Sequence, residues 1–257
     1  NHRNRSVGLL REGPPAGQFT AGTGVDSEPV FSPDGTKLAF LSTRKDDEKS
    51  QVFLIPLDGG EATPLGKVNG SMENLQWSPD GSELSVLRRQ PETKKRKKKN
   101  EKLDDAIVVD SEQRYNRLLI LDTETGKKRV VEAGDREIWD YTWSPDGSQL
   151  AFVTAEEIGE DAPMRRGDVW IVGRDGKEPH HVVQLDQTPM MPLFVTGPNG
   201  PALAVRKNGF REHPADSVFL IDLATGEAKN LLEDFPGNVD AIVALDGIDG
   251  SVGLSTV

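Results

Sequence analysis

The residues that invite a chemical reading are few and scattered. Lys94-Lys95-Arg96-Lys97-Lys98-Lys99 is the densest charge in the chain. It suits an anion-docking patch or a contact with an acidic protein surface. Glu101, Asp104 and Asp105 follow and compensate it, and like charges in a row cannot pack against one another, so the expectation is a solvated, mobile loop from about Pro91 to Glu101. Glu156-Glu157 follow an apolar segment and would hold a cationic terminus if they reached a cleft; acids at a strand end are otherwise solvated loop. His180 and His181 are consecutive. On a strand they point to opposite faces and do not ligate one metal, which leaves them a surface or edge role. Asp246-Gly247-Ile248-Asp249-Gly250 lacks the acid spacing of a calcium loop. No Gly-x-Ser-x-Gly elbow, zincin helix or phosphate loop occurs. The absence of cysteine rules out disulfides and thiolate ligands. The expectation is therefore no catalytic residue, no metal ligand and no cofactor in this chain, with the substrate-binding residues unassigned.

Asp34, Asp80 and Asp146 recur, but inside a phrase that explains them locally. Phe31-Ser32-Pro33-Asp34-Gly35-Thr36-Lys37-Leu38 returns as Trp77-Ser78-Pro79-Asp80-Gly81-Ser82-Glu83-Leu84 and as Trp143-Ser144-Pro145-Asp146-Gly147-Ser148-Gln149-Leu150. Pro presets φ for the second position of a turn, Asp tolerates the bridge region, and Gly supplies positive φ. Ser before Pro is pushed into extended backbone and belongs with the incoming strand. Each copy predicts strand, tight turn, strand. The outgoing segments Leu38-Ala39-Phe40-Leu41 and Leu150-Ala151-Phe152-Val153 are apolar throughout, as a strand buried on both faces would be.

A second hairpin follows each phrase. Gln51 to Ile55 turns at Asp58-Gly59-Gly60 and returns over Glu61 to Leu65. Arg117 to Leu121 turns at Glu124-Thr125-Gly126, Asp168 to Val172 at Asp175-Gly176, and Ser217 to Ile221 at Ala224-Thr225-Gly226. Two hairpins per repeat make a four-stranded antiparallel meander, the blade of an all-β propeller. Gly35 to Gly81 fits the expected repeat of roughly 40–50 residues, and Gly81 to Gly147 carries about twenty more. A weaker phrase ends at Gly197-Pro198-Asn199-Gly200, and Val239 to Val243 starts another. The spacing predicts a partial blade over 1–22, blades over 23–66, 67–132, 133–185 and 186–234, and the start of a further blade over 235–257. The basic insertion is 89–116. The long connections (43–50, 89–116, 155–167, 207–216) all join second to third strands, so they share one rim, where binding usually lives.

Composition supports this reading. The 257 residues carry 26 Gly and 17 Pro, enough for many turns. A net charge of −11 argues against nucleic acid or an anionic membrane as the main partner. No apolar run approaches the ~20 residues of a membrane helix. The opening Asn1-His2-Arg3-Asn4-Arg5 carries no apolar signal core and reads as the interior of a longer protein.

The [Trp/Phe]-Ser-Pro-Asp-Gly-x-x-Leu-Ala-Phe phrase resembles the propeller repeat shared by TolB-type proteins and the prolyl oligopeptidase family of serine peptidases. Gln18-Phe19-Thr20-Ala21-Gly22-Thr23-Gly24-Val25-Asp26-Ser27-Glu28-Pro29 resembles the first-blade exit of the family's acylaminoacyl-peptidase-like branch. Asp104-Asp105-Ala106-Ile107-Val108-Val109-Asp110, with Tyr115-Asn116-Arg117-Leu118, resembles that branch's long third-blade loop. The resemblance implies a slice of a seven-bladed ring that caps an α/β-hydrolase domain carrying Ser, Asp and His. None of that triad carries over to this chain. Glu156-Glu157 lack the aromatic lead-in of the glutamate pair in the family's dipeptidyl peptidases, so that role is not transferred. Implied partners are the hydrolase domain of the same protein and short peptide substrates, with no nucleic acid and no membrane; a homo-oligomer is left open. The implied function is a filter, non-catalytic by itself, in the cytoplasm. A non-enzymatic TolB-type binding module in the periplasm is the alternative.

Overall fold

The computed structural model describes residues 6–9, 17–21, 24–44, 49–91, 114–155, 165–207, 216–233, 237–244 and 252–256. The readings of Lys94–Lys99, Asp104–Asp110, Glu156-Glu157 and Asp246–Gly250 lie outside those residues. Two compact units make up the chain, Asn1–Val130 and Val131–Val257.

In the first unit β1 (Gly8–Leu9) pairs with β2 (Gly17–Gln18), and two four-stranded sheets follow. One consists of β3 (Asp26–Phe31), β4 (Lys37–Ser42), β5 (Ser50–Pro56) and β6 (Thr63–Gly70); the other of β7 (Met72–Trp77), β8 (Glu83–Arg89), β9 (Asn116–Asp122) and β10 (Lys128–Val130). The second unit holds β11 (Glu137–Trp143), β12 (Gln149–Ala155), β13 (Gly167–Gly173) and β14 (His180–Leu185), then β15 (Met190–Gly197), β16 (Gly200–Lys207), β17 (Ser217–Asp222) and β18 (Ala228–Asn230). A hairpin of β19 (Val239–Ala244) and β20 (Val252–Thr256) completes it. Each four-stranded sheet is an antiparallel meander in chain order, and no helix occurs among the described residues. The fold is all-β and built of propeller blades. Within each unit the first strands of successive sheets lie side by side, β3 with β7 and β11 with β15 and then β19. The first strand is thus the inner one.

The repeated phrase closes through its own side chains. Ser32 Oγ donates to Asp34 Oδ1 at 2.6 Å, and Asp34 Oδ1 accepts the Thr36 amide at 3.0 Å. The Ser32 hydroxyl oxygen also accepts the Lys37 amide at 2.9 Å. Ser78 with Asp80 and Ser144 with Asp146 repeat the bond at 2.7 and 2.6 Å. Gly35, Gly81 and Gly147 have φ of 67°, 71° and 68°, the left-handed values that only glycine adopts without steric cost.

The strand leaving each turn is buried on both faces. Leu38 and Phe40 pack with Phe53 and Ile55 under Val7 and Phe19. Ala39 and Leu41, on the other face, join Val52, Leu75, Leu84 and Leu119 between the two sheets of the first unit. In the second unit Ala151, Val153, Leu203 and Val205 form the corresponding seam. Outer hairpins dock through glycine: a Cβ on Gly66 would lie 2.5 Å from the Gly126 carbonyl oxygen, and one on Gly226 would lie 2.6 Å from that of Val182.

The aromatics that head the three phrases differ in burial. Trp143 is buried, Trp77 is partly buried, and Phe31 is 55% exposed. Trp77 reaches the inner strand β3 through the Val30 carbonyl, whereas Val7 and Phe19 pack on the cluster around Phe40. A shared sequence position does not guarantee a shared neighbour.

Candidate functional site

No catalytic constellation forms among the described residues, and no group of three or more His, Asp or Glu there is placed to hold a metal ion. The repeated aspartates are spent on their turns. Hydrogen bonds from Ser32 and from the Thr36 amide and hydroxyl pull the Asp34 carboxyl down to about 2, and Asp146 falls to about 2 through Ser144 and Ser148. A carboxylate held that low is a poor general acid or base at neutral pH. Asp122 and Asp222 cap the second hairpins in the same manner; the Thr125 and Thr225 amides lower both. A shallow depression of 590 Å³ between the short turns of the first sheet, lined by Thr36, Lys37, Leu57 and Asp58 among others, brings together no reactive set.

Polar organisation concentrates instead at the roots of the long connections, at the ends of second strands and the starts of third ones. Arg44, just past β4, makes two hydrogen bonds to Asp26 at 2.8 and 3.0 Å and one to Ser42 Oγ at 2.9 Å. Its guanidinium lies 5.0 and 4.9 Å from the ring centroids of Phe40 and Phe53. In the second sheet Asn116 donates to Glu73 at 3.2 Å. In the fourth, Arg206 Nε donates to Asp216 Oδ2 at 3.2 Å, and the same oxygen accepts the Val239 amide at 2.9 Å. These three connections therefore begin or end at a braced platform, and such roots suit loops that carry binding residues.

His180 and His181 lie on β14, the outermost strand of its sheet. His181 Nε2 meets Asp168 Oδ1 at 2.8 Å, and its ring sits edge-on to Trp170 with centroids 4.8 Å apart. This is a lateral pair on a strand face with Asp168 shared by Gln184 at 3.3 Å. Among the described residues no serine or threonine hydroxyl joins it to make a nucleophile.

The inner strands carry a feature that reading the residues alone missed. Each has a bulge, and Glu28, Asn74 and Met191 sit there with φ of 49°, 56° and 51°. Glu28 Oε2 accepts the Leu75 amide of the next sheet at 3.0 Å. Asp140 Oδ2 likewise accepts the Met191 amide of the next sheet at 2.8 Å. Burial raises the Glu28 carboxyl above its ordinary value; the Leu75 amide works against this, and neighbouring Glu73 adds to it. The signal was present: Glu28, Asn74 and Asp140 all stand three residues before the aromatic of the phrase.

No protein-family model matches the chain. An uncharacterised peptidase, YuxL, of Bacillus subtilis (strain 168) is 26% identical over 168 residues, 60% of this chain and 25% of the relative. The chain thus spans about a quarter of the curated relative it matches. Among solved structures, the β-propeller domain of the Trilobed protease from Pyrococcus furiosus superposes with a TM-score of 0.56 at 13% identity, over 90% of this chain and 63% of that one. The acylaminoacyl peptidase of Pyrococcus horikoshii gives 0.57 at 16%, over 90% and 35%. A putative TolB from Agrobacterium tumefaciens gives 0.55 at 18%, over 84% and 69%. These likenesses show the propeller fold.

Proposed function

We propose that this chain is the propeller domain of a serine peptidase that cleaves short peptides, a substrate filter without chemistry of its own. The observation that carries the reading is the pairing of blade architecture with a curated peptidase relative that matches over most of the chain. The mechanism follows from the sheets. Strands buried on both faces, such as β4 and β12, make each sheet rigid, and a filter built of rigid blades in the full-length parent would admit only short, unfolded peptides. Acyl transfer would then take place on an α/β-hydrolase domain of the same protein, through a Ser nucleophile activated by His. The cytoplasm is the proposed compartment.

The test compares the full-length parent with this chain alone on acyl-peptide reporters of increasing length, together with a serine-reactive fluorophosphonate probe. The parent is expected to take the label and to lose activity steeply as substrates lengthen or fold. The 257-residue chain is expected to take no label and to hydrolyse nothing. A parent without labelling or hydrolysis overturns the proposal and favours the second reading, a TolB-type binding module, which the Agrobacterium neighbour supports. Light scattering on the parent reports whether it is a homo-oligomer.

A further inference from the structure

The two inter-sheet bonds of the inner strands share one geometry. Pairing registers make Phe31↔Leu38, Trp77↔Leu84, Trp143↔Leu150 and Phe194↔Leu203 corresponding pairs. Three residues before these aromatics stand Glu28, Asn74, Asp140 and Met191. Glu28 spans from the first sheet to the bulge of the second, and Asp140 from the third sheet to the bulge of the fourth. In both cases a carboxylate oxygen holds a backbone amide at the point where the inner strand departs from regular pairing. A bulge leaves an amide outside its ladder, and a hydrogen bond to an ionised acceptor is the strong kind. These acids lock neighbouring sheets together at the inner strands.

Met191 occupies the same position with nearly the same backbone as Glu28, φ of 51° against 49°. Its successor strand β19 also has a bulge, between Val239 and Ala241. A thioether is only a weak acceptor, and the Met191 residue is 37% exposed rather than packed into the seam. The carboxylate that acts here is Asp216, which takes the Val239 amide at the long-connection end of the strand while Arg206 braces it. Among the described residues the β15–β19 seam is therefore pinned at Val239, the first residue of β19, and carries no acid lock at the bulge that follows. We infer that this seam is the hinge of the second unit: β19 parts from β15 about the Asp216–Val239 pin, whereas acid-locked seams stay closed.

Amide hydrogen exchange on the full chain tests both halves. Glu28→Ala should speed exchange of the Leu75 amide about tenfold or more, as loss of a hydrogen bond to a charged group predicts. Glu28→Gln, which keeps the shape and a neutral acceptor, should fall between that variant and the parent chain and serves if the alanine variant does not fold. Met191→Glu should install the missing lock and slow exchange at Asp240 and Ala241 about tenfold, with Met191→Gln slowing it less. Simple fraying of β19 would leave those two amides unchanged in both Met191 variants, and that result overturns the hinge. Unchanged Leu75 exchange in both Glu28 variants overturns the lock.

Discussion

Trp77 Nε1 donates a hydrogen bond to the Val30 carbonyl oxygen at 3.0 Å, so the second sheet of the first unit is latched to the inner strand of the first. The donor belongs to the repeated phrase and the acceptor is backbone. The indole supplies both the apolar plate and the donor. Trp77→Phe keeps most of the plate and loses the latch, which should cost about 1 kcal/mol in urea unfolding. Trp143→Ala removes a buried plate entirely and should cost about 3–5 kcal/mol. Equal costs for the two variants would contradict this division.

Gly126 has φ of 65° and lies against the Gly66 backbone, where a Cβ on Gly126 would come within 2.8 Å. Gly126→Ala therefore meets a left-handed backbone, costing about 1–2 kcal/mol, and an overpacked contact, costing about 1–3 kcal/mol. Gly35 has similar φ with open space around it, so Gly35→Ala should show the backbone cost alone. The difference between the two midpoints measures the docking of the outer hairpin.

Ser144→Ala removes the hydrogen bond that does most to hold the Asp146 pKa low, so the carboxyl should titrate closer to its ordinary value of 3.8 than to about 2. A depressed folded pKa favours the fold above the unfolded value and loses that contribution as pH falls through the folded one. The variant should therefore begin to lose turn protection at higher pH than the parent chain during acid titration. Carboxyl chemical shifts of Asp146 followed from about pH 5 to about pH 1.5 check this directly.

Glu28 carries the opposite sign. Its raised pKa means that the folded chain holds the proton more tightly than the unfolded one. That contribution is full below the unfolded value near 4.5 and is lost as pH rises through the folded value. Glu28→Gln does not titrate, so its stability relative to the parent chain should improve as pH rises through that window. Parallel stability curves for the two proteins between about pH 4 and about pH 7 would show that Glu28 is not coupled to folding.

The amino-acid sequence by itself determined what is local. Ser-Pro-Asp-Gly predicts a turn because proline, aspartate and glycine each impose a backbone preference within four residues, and all three copies fold accordingly. Leu38–Leu41 and Leu150–Val153 read as strands covered on both faces for the same reason: composition within one strand reports its own burial. What lies between sheets was decided by the tertiary structure. Phe31, Trp77 and Trp143 share a phrase but not a neighbour, so their burial differs. Glu28 and Asp140 find their amides at Leu75 and Met191, roughly one repeat away in the chain, and no local preference names that partner. The same holds for Gly66 against Gly126, and for Asp216, which joins Arg206 to the Val239 amide. Turn chemistry acts over a few covalent bonds and shows in the sequence, whereas a lock between blades depends on where a second strand comes to rest.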